Sequence, residues 1–194
     1  MHSKLQQQFA FLIEIDKIKS IIRKSRVYHG TTLENDAEHS WHICVMAMVL
    51  EEYSNVKIDL FKVIKMLLIH DLVEIYSGDT FLYAENRDEV FENEKKSAEK
   101  IFGMLPEAQA VEFMDIWIEF EERNSAEAKY ASVLDRIQPL LSNCLHQGYT
   151  WKEHKVSKEM VLSKNKHIAE GSDALWEYAK DLIEKASSEG CFVS

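Results

Sequence analysis

Only six Gly and two Pro interrupt 194 residues, and this scarcity of chain-breakers constrains the fold more than any other feature. Those two residue types punctuate a chain into turns and short strands. Leu, Ile, Met, Ala, Glu and Lys, which dominate instead, are at ease in helices. Apolar residues recur at three-and-four spacing in seven or eight stretches, near 8–24, 37–53, 59–76, 87–104, 107–122, 126–147, 156–169 and 173–187. No alternating strand pattern stands out beside them. The spacing predicts an all-α protein, one domain over residues 1–194 with its core between about 8 and 180. No repeat or Gly/Ser-rich linker divides it, and "SSEGCFVS" reads as a frayed tail.

Charge narrows the partners. Lys plus Arg total 23 against 33 Asp plus Glu, giving a formal charge of -10 and a pI near 5.3. Binding to a nucleic-acid polymer rests on neutralising phosphates, so this balance argues against it. The longest apolar run, "ICVMAMVL", is far short of the roughly 20 residues that cross a bilayer, so no membrane partner is expected. "MHSKLQQQFA" lacks the layout of an export signal, and Cys44, Cys144 and Cys191 are odd in number and form no CxxC pair. A soluble, cytoplasmic protein is expected.

The chemistry concentrates where greasy helices carry polar groups. "ENDAEHSW" starts the second stretch, with Asn35 as N-cap and Glu38 three residues on as its capping-box acid, which sets His39 in the first turn. The third stretch, "DLFKVIKMLLIHDLVEIYSG", is capped by Asp59 and stopped by Gly78. It ends in His70 and Asp71, with Glu74 over the flank between them and Asp79 just beyond. Asp135 sits among Val133, Leu134 and Ile137, where an ionised carboxylate needs a cation or strong donors. Pro139, four residues later, has no N–H for the Asp135 carbonyl, so a bend or an unsatisfied group is expected there.

Together His39, His70, Asp71 and Asp135 would make a ligand set of two imidazoles and two carboxylates without thiolate. Such a set suits one divalent cation, Mn, Co, Fe, Mg or Zn, with positions left for water and substrate. A water so bound is more acidic, with Glu74 placed to take its proton and Asp79 to serve the reacting oxygens. Ordinary readings stand beside this one. The His-Asp pair fits a helix C-terminus and a surface acid, His39 fits a satisfied core histidine, and Asp135 fits a partner for Arg23, Arg26 or Arg136.

The order His, His-Asp, Asp in separate helices carries a resemblance. "ENDAEHSWH", "IHDLVEIYSGDT" and "LDRIQPLL" are similar to three motifs of the HD-domain metal-dependent phosphohydrolases, in the branch that contains the 5′-deoxynucleotidases. The resemblance runs from about residue 8 to about 180. It implies a compact helical bundle of the HD-domain type, one cation on His39, His70, Asp71 and Asp135, and catalytic or second-cation roles for Glu74 and Asp79. It also implies a homodimer that hydrolyses a small phosphorylated substrate, such as a deoxynucleoside monophosphate.

One departure concerns the substrate. The deoxynucleotidases carry an Arg-Trp pair upstream of the first histidine, whereas "IIRKSRVYHG" has Arg23, Lys24 and Arg26 and no Trp. Arg23 and Arg26 are the candidate phosphate contacts. A nucleotide-sensing or partner-binding module without turnover, and an HD-type iron oxygenase, are the alternatives; the second requires a further His cluster that the sequence lacks. His42 reads as a hydrogen-bonding group. His29, His146, His154 and His167, and the four tryptophans, carry no assigned chemistry.

Overall fold

The computed structural model describes residues 2–80, 82–83 and 87–192, which are overwhelmingly helical. Helix α1 (His2–Glu14) passes through a 3-10 turn (Ile15–Ser20) into a ribbon of β1 (Ile22–Arg26) and β2 (Leu33–Asn35). Next come α2 (Asp36–Leu50), α3 (Leu60–Ile69), a 3-10 turn (His70–Val73) and α4 (Glu74–Ser77). The chain continues through α5 (Arg87–Phe102), α6 (Glu107–Glu122) and α7 (Ala126–Leu145). It closes with α8 (Tyr149–Glu153), α9 (Lys158–Asn165), α10 (Ile168–Gly171) and α11 (Asp173–Ser188).

Helix α7 is the axis of the bundle, packed by α2, α3, α6, α10 and α11 and crossed by β1. A helix enclosed on so many sides must be buried nearly all round. Tyr130, Ala131, Val133, Leu134 and Ile137 are accordingly at or near zero exposure, in one apolar cluster with Met66, Leu67 and Trp117. The same helix carries a buried polar stripe of Ser132, Asp135, Gln138 and Ser142 at near-helical spacing. It runs unbroken through Pro139. The chosen helix starts hold: Asn35 accepts from the Glu38 N–H at 3.0 Å while its own N–H donates to Glu38 Oε2 at 3.1 Å. Asp59 likewise accepts from the Phe61 and Lys62 N–H groups. No helix among the described residues is long and apolar enough to cross a membrane.

Three expectations change. The helix expected over 8–24 stops, and Ile22–Arg26 is an antiparallel strand with Ile22 opposite Asn35 and Arg26 opposite Leu33. Its inward residues are Arg23 and Ser25, so no apolar alternation announces it. The ribbon is pinned to α7 and α8 instead by polar links: Ser142 Oγ donates to the Arg26 carbonyl at 2.7 Å and Thr150 Oγ1 to the Lys24 carbonyl at 2.9 Å. The single helix expected over 59–76 is broken at His70 by the 3-10 turn, and Gly78 at φ 78° ends α4 as expected.

The expected frayed tail is docked over its described part. α11 extends to Ser188, Cys191 is buried, and the Phe192 ring stacks on Trp151 at 4.7 Å. Residues 193–194 of that stretch lie outside the described residues. Gly148 makes the docking possible, because a Cβ there would sit 1.9 Å from the Cys191 carbonyl oxygen.

Candidate metal centre

Three local structures aim side chains at one point. The capping box fixes where α2 begins, so Asp36 and His39 share its inner face, both at zero exposure. The 3-10 turn has about three residues per turn, which stacks residues three apart and brings Asp71 and Glu74 to one side. On α7, Asp135 and Gln138 are one turn apart and meet the two nitrogens of the same imidazole.

That imidazole is His39. Gln138 is oriented by Glu34, whose Oε1 accepts from Gln138 Nε2 at 2.7 Å, so Gln138 presents its oxygen to His39 Nδ1 at 3.1 Å. Nδ1 therefore carries the proton, and the Nε2 lone pair faces Asp135 Oδ1 at 3.1 Å. His70 is fixed in the same sense: Nδ1–H donates to the Leu67 carbonyl at 2.9 Å. Its Nε2 is buried and makes no hydrogen bond, although Asp71 Oδ1 is 3.1 Å and Asp135 Oδ1 3.6 Å away. Asp71 Oδ2 is 4.0 Å from His39 Nε2. The imidazole nitrogens and carboxylate oxygens that converge here fit a cation shared by His39, His70, Asp71 and Asp135, which would take the place of a proton on His70 Nε2. The described residues supply nitrogen and oxygen donors and no thiolate at this point.

Electrostatics agree. Burial alone would discharge these groups, yet Asp71 and Asp135 are held below the usual carboxylate range. The His70 and Arg23 charges do this for Asp71, and Arg136 with the two imidazoles for Asp135. Against its own desolvation, His70 is pushed up to about 10 by the same carboxylates, a measure of how much positive charge the position calls for. His39 is shifted the other way by burial and by Arg23.

A second acidic group adjoins the first. Asp36, Asp71 and Glu74 bring one oxygen each within 4.8 Å of one another. Arg23 answers two of them, donating through Nη1 to Asp71 Oδ2 at 2.7 Å and Asp36 Oδ1 at 3.0 Å. Burial and the Asp71 and Asp36 charges push Glu74 well above the usual carboxylate range, and burial raises Asp36 to about 6.

A cleft of about 410 Å³ opens over His70, Asp71, Glu74 and Asp135, with Asp79 on its rim. Burial raises Asp79 while Arg23 opposes the shift. Of the two expected phosphate contacts, Arg23 lines the cleft and Arg26 does not: its guanidinium lies 3.5 Å over the Tyr149 ring, on the other side of the ribbon. His42 faces the Tyr28 ring at 4.7 Å, away from the cluster.

Several groups were invisible in the sequence reading. Asp36 looks like an ordinary first-turn acid, and Gln138 and Glu34 show nothing until tertiary packing buries them beside His39. His167 and Trp151, given no chemistry, both line the cleft, as do Arg123, Arg136 and Glu121. The adjacency of Arg136 to Asp135 is the one sequence signal among them, and it points to a neutralising partner.

Comparison with known proteins adds an independent line. A family model described as HD domain matches residues 15–176. The 5′-deoxynucleotidase HDDC2 of Homo sapiens is 29% identical over 148 residues, 75% of this chain and 69% of that protein. Its counterpart from Dictyostelium discoideum is 30% identical over 155 residues, 75% of this chain and 79% of the relative. Among solved structures, a predicted metal-dependent phosphohydrolase from Magnetospirillum magnetotacticum MS-1 superposes with a TM-score of 0.94 at 43% identity. That match covers 99% of this chain and 97% of the other.

Proposed function

The chain belongs to the HD domain family, and from that premise we propose that it is a divalent-metal-dependent phosphohydrolase of small phosphate esters, with 5′-(deoxy)nucleoside monophosphates as its substrates. The observation that carries the reading is the meeting of His39 Nε2 with His70 Nε2, Asp71 and Asp135, the last three of which line a cleft large enough for a ligand of that size. A cation bound there supplies Lewis acidity toward a phosphoryl oxygen and makes a water acidic enough to attack at neutral pH.

The protein's own groups do the rest. Glu74, beside Asp71 in the cleft, is placed to take a proton from the attacking water. Oxygen adds to phosphorus, the ester P–O bond breaks, and the departing alkoxide takes up the proton that Glu74 accepted from the water, with Asp79 lining the cleft to serve the reacting oxygens. Alcohol and inorganic phosphate are the products. Arg23 holds Asp71 and Asp36 in place and offers its remaining N–H groups to the substrate phosphate. The reading includes a homodimer in the cytoplasm, checked by sedimentation and by cell fractionation.

The test is phosphate release from a nucleoside monophosphate panel by protein reloaded in turn with Mn²⁺, Co²⁺, Mg²⁺, Fe²⁺ and Zn²⁺. Turnover with at least one ion is expected, abolished by chelator. Tight nucleotide binding with no release under any ion would select a sensing module instead.

A further inference from the structure

Resting on the phosphohydrolase reading, we propose that Arg123, Arg136 and His167 form a second anion-binding subsite in the cleft. The substrate is then a phosphate ester that carries a further acidic group beside the one hydrolysed. The three side chains come from separate elements, the end of α6, the middle of α7 and the start of α10, and all line the cleft that contains His70 and Asp71.

Each keeps hydrogen-bonding capacity that the described residues do not use. Arg136 Nε and His167 Nε2 are buried and make no hydrogen bond, and the Asp135 oxygen nearest Arg136 Nε is 3.7 Å away. Arg123 makes no ion pair among the described residues. Arg23, also in the cleft, has an unbonded Nε as well, but its Nη1 is already held by Asp36 and Asp71. Local structure does not ask for a long cation at position 123. The residue is left-handed at φ 52°, and its N–H alone caps α6 by donating to the Glu119 and Phe120 carbonyls. Gly or Asn would serve that turn with less strain.

Arg136 shares Asp135 through Nε at 3.7 Å and Arg123 makes no ion pair among the described residues, so the two guanidinium groups bring positive charge to the cleft that the His167 imidazole also lines. Burial together with Arg136 and Arg123 drives His167 down to about 4. Glu121, in the same cleft, is pushed upward by burial, so it opposes an incoming anion less than an ordinary carboxylate would. An oxyanion with several oxygens satisfies both forks and the orphaned imidazole nitrogen together. Hydroxyl groups would leave the charges unanswered. Phosphate and carboxylate share the required chemistry.

The experiment compares kcat/KM of the metal-loaded protein for deoxyadenosine 5′-monophosphate, the 3′,5′-bisphosphate and the 3′-O-succinyl 5′-monophosphate. A preference of about tenfold or more for one doubly acidic ester is expected, the worth of one charge-assisted hydrogen bond. Which of the two wins distinguishes phosphate from carboxylate. Arg123→Asn, which suits the left-handed turn, and His167→Gln should each shrink that preference several-fold, and Arg123→Lys should retain most of it. Equal rates for all three esters, or an Arg123→Asn variant that slows all three alike, would overturn the proposal. Inorganic phosphate binding to chelator-treated protein, read by calorimetry, separates this idea from the catalytic reading. If no ester is hydrolysed but Arg123→Asn weakens phosphate binding, the subsite stands and the enzyme reading falls; unchanged or absent phosphate binding overturns the subsite.

Discussion

Gln138→Leu tests whether the buried amide sets the metal affinity of an imidazole it touches. Gln138 is fully buried, accepts from His39 Nδ1 and donates to Glu34. Leucine of similar volume removes both bonds and leaves the His39 N–H and the Glu34 carboxyl unanswered, at about 1–3 kcal/mol for each group. Glu34, already raised to about 7 by burial despite the Gln138 bond that lowers it, should rise further. The larger consequence is at the other ring nitrogen: with Nδ1 no longer held as donor, the tautomer with a proton on Nε2 becomes accessible. Loss of such an orienting partner weakens metal binding about 10- to 100-fold. At a cation concentration of about 100 times the wild-type dissociation constant, binding stabilises the native protein by about 2.7 kcal/mol. A tenfold weaker site leaves about 1.4 kcal/mol and a hundredfold weaker one about 0.4 kcal/mol at the same concentration. For a chain of this size 1 kcal/mol moves Tm by about 2–4 °C, so a metal-induced rise of about 5–11 °C should shrink to about 1–6 °C. Differential scanning calorimetry with and without Mn²⁺ reads both effects. A variant whose metal-free Tm falls while its Mn²⁺-induced rise stays at the wild-type value would show that Gln138 only fills space.

Glu74→Gln should lower kcat about 10²- to 10⁴-fold with metal content by elemental analysis nearly unchanged, whereas Asp71→Ala should lose metal and turnover together. His167, buried neutral, has a folded pKa near 4 against 6.5 for the free side chain, so its contribution is complete above 6.5 and lost as pH falls toward 4. The difference in urea-unfolding stability between wild type and His167→Gln should therefore drift against the wild type from pH 7 to 5, by at most about 2 kcal/mol and by less to the extent that solvent screens the ring; parallel profiles would contradict it. Gly148→Ala forces a Cβ into the Cys191 carbonyl at a left-handed position and should cost more than about 1 kcal/mol by the same assay, with loss of the Trp151–Phe192 stacking from near-ultraviolet circular dichroism.

What the sequence reveals here is whatever breaks a pattern. His39, His70 and Asp135 interrupt apolar helical faces, and the structure gathers them with Asp71 around one point. Asp36, Glu34 and Gln138 break no pattern, because a polar residue near a helix end or on a mixed face is ordinary until packing encloses it. Arg123 and His167 are separated by 44 positions, and only the approach of α10 to α7 puts both in one cleft. The ribbon escaped notice for a related reason: its inward side chains are Arg23 and Ser25, and hydrophobic periodicity does not register a strand that buries polar groups.

Arg23 joins two of the acids through a single nitrogen, so the cluster carries its own counter-ion. Many small metal-dependent folds collapse when stripped, because nothing else offsets their ligands. Here a tethered guanidinium spares Asp36 and Asp71 that fate. Losing the ion should therefore lower stability without unfolding the chain, and an emptied protein should remain compact, ready to be recharged with a different ion.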